Sequence, residues 1–567
     1  RGIREAKELS AYDNLADSAY LRAKEDYLMG INFSRVLTLK YGRNVKDYLK
    51  RDKAVISVGR VMTCVLGMVV RREREIRNFV KTPFYRVLGS FQATAKDGTP
   101  VLLDAEWKAV EGSKYFGTPY LYKENGFKER EKAEELIAYL KEEPPLEAKV
   151  LSKEKKKETK NPPLLYNLAE LQNDCSKMFK ISPDETLKVV QELYEKKLVT
   201  YPRTDARVLS TAVAKEIYKN INGLMRYEPM AGFAKEAMNL GSFKGIAKTR
   251  YVNDKQITDH YAIIPTGQGM GNLRGLSPLS EKVYQVVCRR FLSIFYPAAI
   301  YQKYSLVLER KKEQFFASFK VLSEPGYLKV ADVNLAKKSS IQETFSDEKE
   351  GNSAQTDEKN AEIPKVDRTL LLQVLADLKK NDILTIADLK VKEGETSPPK
   401  RYTSGSMILA MENAGQLIED EELRAQIKGS GIGTSATRAE ILKKLVTIRY
   451  LSLNKKTQIM TPTQLGEMVY EVVDNSIRSL LNPELTASWE KGLTYVAEGS
   501  ITSDIYMEKL ERFISDRTGR VMVLHNQYQL RGNYDRCAVF YKKEQRPAAK
   551  RKTSKKAPED KDSAGKK

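Results

Sequence analysis

Cysteine and histidine, which build most zinc and disulfide sites, are scarce in this sequence. Its 567 residues include only 4 cysteines and 2 histidines. The cysteines are widely separated and show no Cys-x-x-Cys spacing: Cys64, Cys175, Cys288 and Cys537. This pattern argues against a disulfide framework and against a zinc knuckle, and it fits a reducing compartment such as the cytoplasm.

Long apolar runs are lacking as well. A membrane-spanning helix needs about 18–20 consecutive apolar residues, and the best candidate, 55–70, is interrupted by Arg60. We therefore expect no membrane partner. The first residues contain no apolar segment typical of a signal peptide. Because residue 1 is Arg and not Met, we expect a processed chain or a piece of a longer protein.

Basic residues, in contrast, are in large excess. The chain has 97 Lys and Arg residues against 75 Asp and Glu residues, a net charge of +22. Such a surplus attracts phosphate polymers and accelerates their capture. Single cores stop growing beyond about 250–300 residues, so a chain of 567 residues predicts three or four domains.

Two segments differ from the rest in composition. Residues 337–362 are rich in Ser, Glu, Asp and Lys and poor in large apolar side chains, which predicts a disordered surface insertion. The C-terminal end is rich in Lys and Arg, and we assign 521–567 to a basic tail. This tail would either contact DNA without sequence preference or only increase solubility.

Apolar spacing separates helical from β-rich stretches. It indicates mainly helices in the first 80 residues and in 127–142, 165–300 and 405–515, and β-structure in 84–125 and 300–335. The similar texture of the two β-rich stretches predicts one β-domain built from separate segments.

The clearest helix start is Ser182-Pro183-Asp184-Glu185. It combines a capping Ser, Pro at the first helical position and Glu at the third. This helix should end near Lys196 and Lys197, with extended chain beyond it.

The extended segment Thr200–Arg207, TYPRTDAR, is the first candidate for chemistry. Pro202 keeps Tyr201 out of the α region, and residues two apart in an extended chain point the same way. Tyr201 and Arg203 would then present a phenol and a guanidinium to one site. An activated phenol can attack a phosphodiester, and the guanidinium suits a phosphate. The alternative is a buried Tyr with a solvent-facing Arg.

A second candidate is the glycine-rich segment Gly429–Arg438, GSGIGTSATR. Its glycines allow close backbone approach, Thr434 could cap a helix, and a helix N-terminus with Arg438 nearby would bind phosphate. The alternative is a flexible turn before a helix. No Lys-Ser or Lys-Thr follows with the spacing of a Walker A loop, which excludes a helicase.

Two other features allow both a structural and a functional interpretation. His260, in DHYAIIPT, is one of the 2 histidines, and a lone His is more often structural than catalytic. The arginines that follow SVGRVMT, in 71–75, could form a solvated helix face or line a nucleic-acid groove.

Together these blocks resemble the type IA DNA topoisomerases, and most of all their topoisomerase III branch. The similarity extends over about 10–520, and the blocks follow the order of the family. They are YDNLADSAYLRAKEDYLMGINFSR, SVGRVMTCVLGMVVRRERE, NPPLLYNLAELQ, LYEKKLVTYPRTDAR, DHYAIIPT, RRFLSIFYP, ETSPPKRYTSGSMILAME, GSGIGTSATRAEIL, TPTQLG and NPELTASWEKGL.

The resemblance implies roles for individual residues. Tyr201 would be the nucleophile that holds the 5′ phosphate of a cleaved single strand, with Arg203 and His260 beside the scissile phosphate. The same matching implies DNA contacts for five residues: Arg35, Arg60, Thr434, Thr437 and Arg438. We expect Arg438 to be the most important of these, because its position at a helix start suits a phosphate.

The resemblance also implies an architecture. We expect a multi-domain α/β protein with the arch of type IA topoisomerases, built from helical, winged-helix-like domains and a β-rich arm. The segments would be 1–83 and 402–520 for the helical domain, 84–161 and 301–401 for the arm, 162–300 for the tyrosine domain, and 521–567 for the tail.

Nothing in the sequence matches the TOPRIM domain with which this family begins. That domain carries the acidic residues that bind Mg²⁺, so we expect the magnesium ligands outside this chain and no metal site within it. The only Asp-x-Asp pair, Asp560 and Asp562, lies in the tail. We therefore expect a chain that binds DNA but cleaves it poorly on its own.

The resemblance implies an ATP-independent isomerase acting on DNA, chiefly single-stranded, as a cytoplasmic, nucleoid-associated monomer. One alternative is a non-catalytic clamp for single-stranded DNA. Another is a tyrosine recombinase or a relaxase, although 2 histidines are too few for the metal-binding histidine triad of a relaxase.

Overall fold

A computed structural model of the chain describes residues 8–257, 259–331, 342–343, 368–427 and 431–541. The predicted insertion 337–362, apart from 342–343, and the end of the predicted tail, 542–567, lie outside the described residues.

Helices dominate both ends and the middle of the described chain. In order they are α1 (Asp13–Leu49), α2 (Arg60–Asn78), α3 (Arg130–Lys141), α4 (Leu168–Phe179), α5 (Pro183–Glu195), α6 (Thr211–Leu224), α7 (Glu228–Leu240), α8 (Pro278–Ser293), α9 (Leu328–Ala331), α10 (Arg368–Asp377), α11 (Ser404–Glu412), α12 (Glu421–Gln426), α13 (Arg438–Thr447), α14 (Gln464–Asp474), α15 (Pro483–Ala497), α16 (Ser503–Val523) and α17 (Gln527–Ala538).

The strands fall mainly into two stretches of the sequence. They are β1 (Pro83–Thr94), β2 (Pro100–Lys108), β3 (Leu121–Lys123), β4 (Gly126–Phe127), β5 (Glu147–Lys160), β6 (Ala299–Arg310), β7 (Glu313–Glu324), β8 (Gln342–Glu343), β9 (Ile383–Glu395), β10 (Leu451–Leu453) and β11 (Met460–Pro462).

Strands from both β-rich stretches share one antiparallel sheet that closes on itself. The order β2-β7-β6-β5-β9-β1 is completed by a pairing between β1 and β2. Side chains alternate between the inside and the outside, as in β7, where every second residue from Glu313 to Val321 is buried. The core includes Trp107, Phe91 and Leu308. We call these six strands the strand ring.

Parts of three strands project beyond the strand ring. β5 pairs with β9 only through Glu147–Lys149, although its pairing with β6 runs on to Lys160. Likewise β2 pairs with β7 only through 314–316. The far ends of β5, β6 and β7, residues 153–160, 299–306 and 317–324, therefore form an extension of three long strands, which we call the three-stranded extension. The two-residue strand β8 pairs with its β7 edge at 319–320.

A helical core unites the two ends of the described chain. Helices α1 and α2 pack with α11 and α13 to α17 around side chains such as Phe33, Val65 and Leu480. Helix α17 belongs to this core, because Leu530 and Tyr534 are buried. The structure thus differs from the predicted tail 521–567: helical packing continues through 538, since apolar residues recur at helical spacing.

A second helical unit lies in the middle of the chain and holds the TYPRTDAR segment. Helices α4 to α9 surround a core with Leu171, Val190 and Phe291. The predicted helix start at Ser182 is confirmed: Ser182 caps α5, Pro183 is its first residue, and Glu185 completes the capping box. Within the described ranges, no helix combines the length and apolar character needed to cross a bilayer.

Candidate active site and nucleic-acid contacts

The chain before Tyr201 is held in place by a second extended segment, 262–266. The Thr200 amide donates a hydrogen bond to the Ile264 carbonyl at 3.0 Å, and the Thr200 hydroxyl donates to the Ala262 carbonyl at 3.0 Å. Val199 forms an antiparallel bridge with Pro265. The helix-to-extended transition after α5 occurs at Lys197, whose φ is 60°. The backbone therefore reaches Tyr201 along a fixed path.

The residues that follow Tyr201 in the chain are also held in place by hydrogen bonds. The Thr204 hydroxyl donates to the His260 carbonyl at 2.7 Å and accepts from the Ala206 amide at 3.1 Å. The Thr204 carbonyl accepts from the Leu168 amide, at the start of α4, at 3.1 Å. Buried Thr204 thus joins the tyrosine segment to both the histidine segment and α4.

Tyr201 and His260 lie next to each other. Their ring centroids are 4.4 Å apart at an interplanar angle of 45°, and the Tyr194 ring packs edge-on against Tyr201 at 5.4 Å. Tyr201 is half-buried and His260 is exposed. The structure therefore brings together the two residues that the resemblance placed at one site.

Arg203 is exposed next to this pair. It makes no hydrogen bond or ion pair with another described residue, so its guanidinium is available to an incoming phosphate. That Arg203 and Tyr201 serve one site remains a prediction.

Arg438 joins the glycine-rich segment to the tyrosine segment. It is 1% exposed, its Nη1 lies 3.2 Å from Asp205 Oδ1, and its Nε donates to the Ile432 carbonyl at 3.4 Å. It is also the first residue of α13. The expected phosphate contact is therefore not available in this arrangement, because burial and acidic neighbours occupy the guanidinium.

A buried amide, that of Asn167, and a half-buried carboxyl, that of Glu412, complete this connection. Asn167 Nδ2 donates to Glu412 Oε1 at 2.7 Å and to the Asp205 carbonyl at 3.1 Å. Burial raises the pKa of Glu412, while the charge of Arg438 opposes that shift. We call Asn167, Asp205, Glu412 and Arg438 the interdomain lock, because they connect the middle helical unit to the helical core.

The two threonines of the glycine-rich segment remain on the surface. Thr434 and Thr437 are exposed, and their hydroxyl oxygens are 3.1 Å apart. The carbonyl of Thr434, and not its side chain, receives the first amides of α13, from Thr437 and Arg438. Both hydroxyls are accessible to a bound strand.

Arg60, like Arg438, was expected to contact DNA but is buried beside carboxyl groups. It is 4% exposed and lies 3.2 Å from Glu25 Oε1, 3.2 Å from Asp26 Oδ1 and 3.1 Å from Glu490 Oε1. Its guanidinium is thus surrounded by carboxylates and does not face a phosphate. Arg35, in contrast, is exposed on α1.

Sequence reasoning missed three members of the interdomain lock. Asp205, Asn167 and Glu412 stand in blocks that carry the resemblance, yet none was assigned a role. A signal was available for Asn167, because Asn followed three residues later by Glu170 is a helix start, and its side chain accepts the Glu170 amide. The partners of Glu412 and Asp205 lie far away in sequence and leave no local signal.

The described residues do not fit a metal ion. They contain no group of three or more His, Cys, Asp or Glu side chains that could hold one. The predicted pair Asp560 and Asp562 lies outside the described residues.

Residues 10–508 match the family model described as DNA topoisomerase. The chain belongs to the DNA topoisomerase family. It is 32% identical to DNA topoisomerase 3 of Bacillus subtilis over 519 residues and 31% identical to that of Bacillus licheniformis over 516. Each alignment covers 90% of this chain and 61% of the relative, so the chain spans about three fifths of these proteins. The resemblance to type IA topoisomerases is thereby confirmed.

The fold of this topoisomerase-family chain also has a solved counterpart. Full-length topoisomerase I from Thermotoga maritima is 21% identical, with a TM-score of 0.59 over 89% of this chain and 69% of that one. The expected multi-domain α/β fold, with helical parts and a β-rich region, is confirmed.

Proposed function

We propose that this chain carries the nucleophile of a type IA DNA topoisomerase that cleaves, passes and reseals single strands without ATP. The observation that carries the proposal is the Tyr201 site. A half-buried phenol is fixed by backbone bonds on both sides and lies against an exposed His260, with an unengaged Arg203 beside it.

The chemistry follows from these groups. The Tyr201 phenol oxygen forms a bond to a backbone phosphorus while the bond to the 3′ oxygen breaks, which leaves a 3′ hydroxyl and a 5′-phosphotyrosine. Arg203 would stabilise the charge that develops on the phosphate. Because phenolate is a fair leaving group, the 3′ hydroxyl can reverse the step, so no ATP is needed.

Mg²⁺ enters this proposal only through the family resemblance. Since the described residues do not fit a metal ion, we expect its ligands elsewhere in the complete protein. We also expect this chain alone to bind single-stranded DNA and to form the covalent complex poorly.

The cellular location, the oligomeric state and the further DNA contacts are part of the same proposal. A DNA substrate and bacterial relatives support a place of action in the cytoplasm, associated with the nucleoid, and we propose that the protein acts there as a monomer. Arg35, Thr434 and Thr437 are exposed and would contact the bound strand.

A covalent-trapping experiment tests the nucleophile. A single-stranded oligonucleotide labelled at its 3′ end is incubated with Mg²⁺ and the complete protein, or with this chain supplemented with the part of its longer relatives that it does not cover, and then denatured. The label should remain on the protein, and mass spectrometry should locate it on the peptide that contains Tyr201.

Two variants make this test specific. Tyr201→Phe should abolish the covalent complex and keep DNA binding, whereas Tyr194→Phe, which changes the neighbouring ring, should still be trapped. Trapping through another residue would overturn the proposal. Binding without any trapping in the complete protein would favour a non-catalytic clamp for single-stranded DNA.

A further inference from the structure

The three-stranded extension carries an unusual concentration of lysine along β5. Within 153–160, positions 153, 155, 156, 157 and 160 are lysine, and only positions 154 and 158 are acidic. Lys155, Lys156 and Lys157 are exposed and form one side of a cleft of about 190 Å³. Among the described residues, no strand pairs with the outer edge of β5 beyond Val150.

Protection of an exposed edge does not explain this many charges. An unpaired strand edge needs only an occasional lysine to prevent it from pairing with another chain. Here Lys156 stands directly opposite Lys303, which stands opposite Lys320. Like charges in directly opposed positions destabilise a sheet. Although Glu154 and Glu158 offset part of this cost, the row indicates a function that needs positive charge.

The spacing of the lysines fits a nucleic-acid backbone. A strand rises about 3.3–3.4 Å per residue, and duplex DNA rises about 3.4 Å per base pair. Because side chains alternate, Lys155 and Lys157 lie on one face of β5, about two base-pair steps apart, and Lys156 lies on the other face with Lys303 and Lys320. Lys153 is half-buried and donates a hydrogen bond to the Ala376 carbonyl at 2.8 Å. Phosphates of one DNA segment could therefore meet successive lysines without bending of either partner.

The aromatic rings beside the lysines are already covered. Lys155 lies over the Tyr304 ring at 5.5 Å, and Lys320 lies over the Tyr301 ring at 4.7 Å. Tyr304 is also 2% exposed. Grooves for single strands usually stack bases on open aromatic rings. The surface therefore suits a partner whose bases are turned inward, which is a duplex.

We propose that Lys153–Lys160 bind the phosphate backbone of a duplex DNA segment, at a surface separate from the strand at Tyr201. The proposal rests on the proposed function only in taking DNA as the partner, and it requires no strand cleavage. Its failure and that of the Tyr201 proposal are therefore distinguishable.

The experiment measures binding of a blunt 30-base-pair duplex and of a single strand to this chain over a range of salt concentrations. A triple variant, Lys155→Gln, Lys156→Gln and Lys157→Gln, should weaken duplex binding on the order of tenfold at moderate salt. The slope of log affinity against log salt should become shallower by about 1 for each phosphate that no longer meets a lysine. Single-strand binding should change much less.

Two matched variants control for net charge and for folding. Lys235→Gln, Lys244→Gln and Lys248→Gln remove the same charge from exposed positions elsewhere and should leave duplex binding nearly unchanged. Replacement of Lys155, Lys156 and Lys157 by Arg should bind like the parent. Equal losses in both Gln variants, no loss in the β5 variant, or an equal loss of single-strand binding would each overturn the proposal.

Discussion

At the scale of single residues, burial changes the role that can be assigned to Arg60 and Arg438. Both stand in blocks that the resemblance linked to DNA, and both are surrounded by carboxyl groups inside the protein. A buried arginine stabilises only where its partners are close, and removing it leaves buried carboxylates without compensation. We infer that these side chains position the segments around them through buried ion pairs, and that they do not bind DNA directly.

Arg438→Gln should therefore lower the free energy of unfolding and have only a small direct effect on the affinity for DNA. Its loss removes the ion-pair partner of Asp205, whose side chain is 36% exposed, and a nearby positive charge from half-buried Glu412. The expected cost in the free energy of unfolding is about 1–3 kcal/mol. Denaturant unfolding monitored by circular dichroism measures this cost. Thr437→Ala, one residue earlier and exposed, should cost far less. Equal stability of the two variants would contradict the role of the interdomain lock.

Glu25 makes a pH-dependent contribution to stability. Burial raises its pKa from 4.5 to about 7, although Arg60 and the Tyr506 hydroxyl favour the charged form. Between these values the unfolded chain has lost the proton that the folded chain still holds, so this group's contribution decreases as pH rises from 4.5 to 7.

Glu25→Gln should remove that decrease. The free energy of unfolding of the variant, relative to the parent, should rise across this pH interval by roughly 3 kcal/mol at most. Denaturant titrations at a series of pH values measure the difference. Asp26→Asn, which changes a half-exposed neighbour, should leave the profile closer to that of the parent. A flat difference for Glu25→Gln would refute the raised pKa.

At the scale of elements, close approach between two backbones explains a second glycine-rich run, Gly267–Gly271. In Gly267–Gly271, Gly267 has φ 73°, and its carbonyl lies against Gly223 of α6. A Cβ on Gly223 would come within 2.1 Å of that oxygen. This loop also packs against the end of α5, from which the tyrosine segment leaves.

Gly223→Ala should consequently destabilise the middle helical unit, since two backbones would have to separate. We expect a lower thermal unfolding midpoint for this variant in calorimetry. Gly232→Ala is a matched control in α7, where an added Cβ meets nothing within 4 Å, and it should be neutral or slightly stabilising. A similar loss in both variants would argue against the backbone contact.

Helix α17 gives another prediction at this scale. Leu530 is 1% exposed within the helical core, whereas Tyr528 of the same helix is 91% exposed. Leu530→Ala should lower the free energy of unfolding by about 2–5 kcal/mol, and Tyr528→Ala should change it little. If the two substitutions had equal effects in denaturant unfolding, α17 would not be part of the core.

The sequence predicted elements better than contacts between them. The start of α5 followed from Ser182, Pro183 and Glu185 because capping is a local interaction. The end of the helical core did not, since the Lys-rich stretch that begins at 542 was extended back to 521 and so took in the buried residues of α17. Tyr201 and His260 were paired through the family resemblance, whereas the bond between Asp205 and Arg438 joins residues 233 positions apart.

At the scale of the whole molecule, the excess of positive charge determines how DNA binding should depend on salt. The net charge of +22 should make DNA binding by this chain strongly dependent on salt, with log affinity falling linearly with log salt concentration. Fluorescence anisotropy with a labelled single strand measures this dependence. Binding that is independent of salt would indicate recognition without phosphate contacts.

The closed strand ring has a mechanical consequence. Its three-stranded extension continues into the unit around Tyr201, because the last residues of β5 pair with the first of β6, and the Tyr327 amide after β7 bonds to the Pro297 carbonyl. A twisting force on the strand ring would therefore reach the unit around Tyr201 through several hydrogen-bonded strands and not through a single flexible loop. Such a linkage resists shear, so a force on the strand ring would be transmitted to the segment that holds Tyr201.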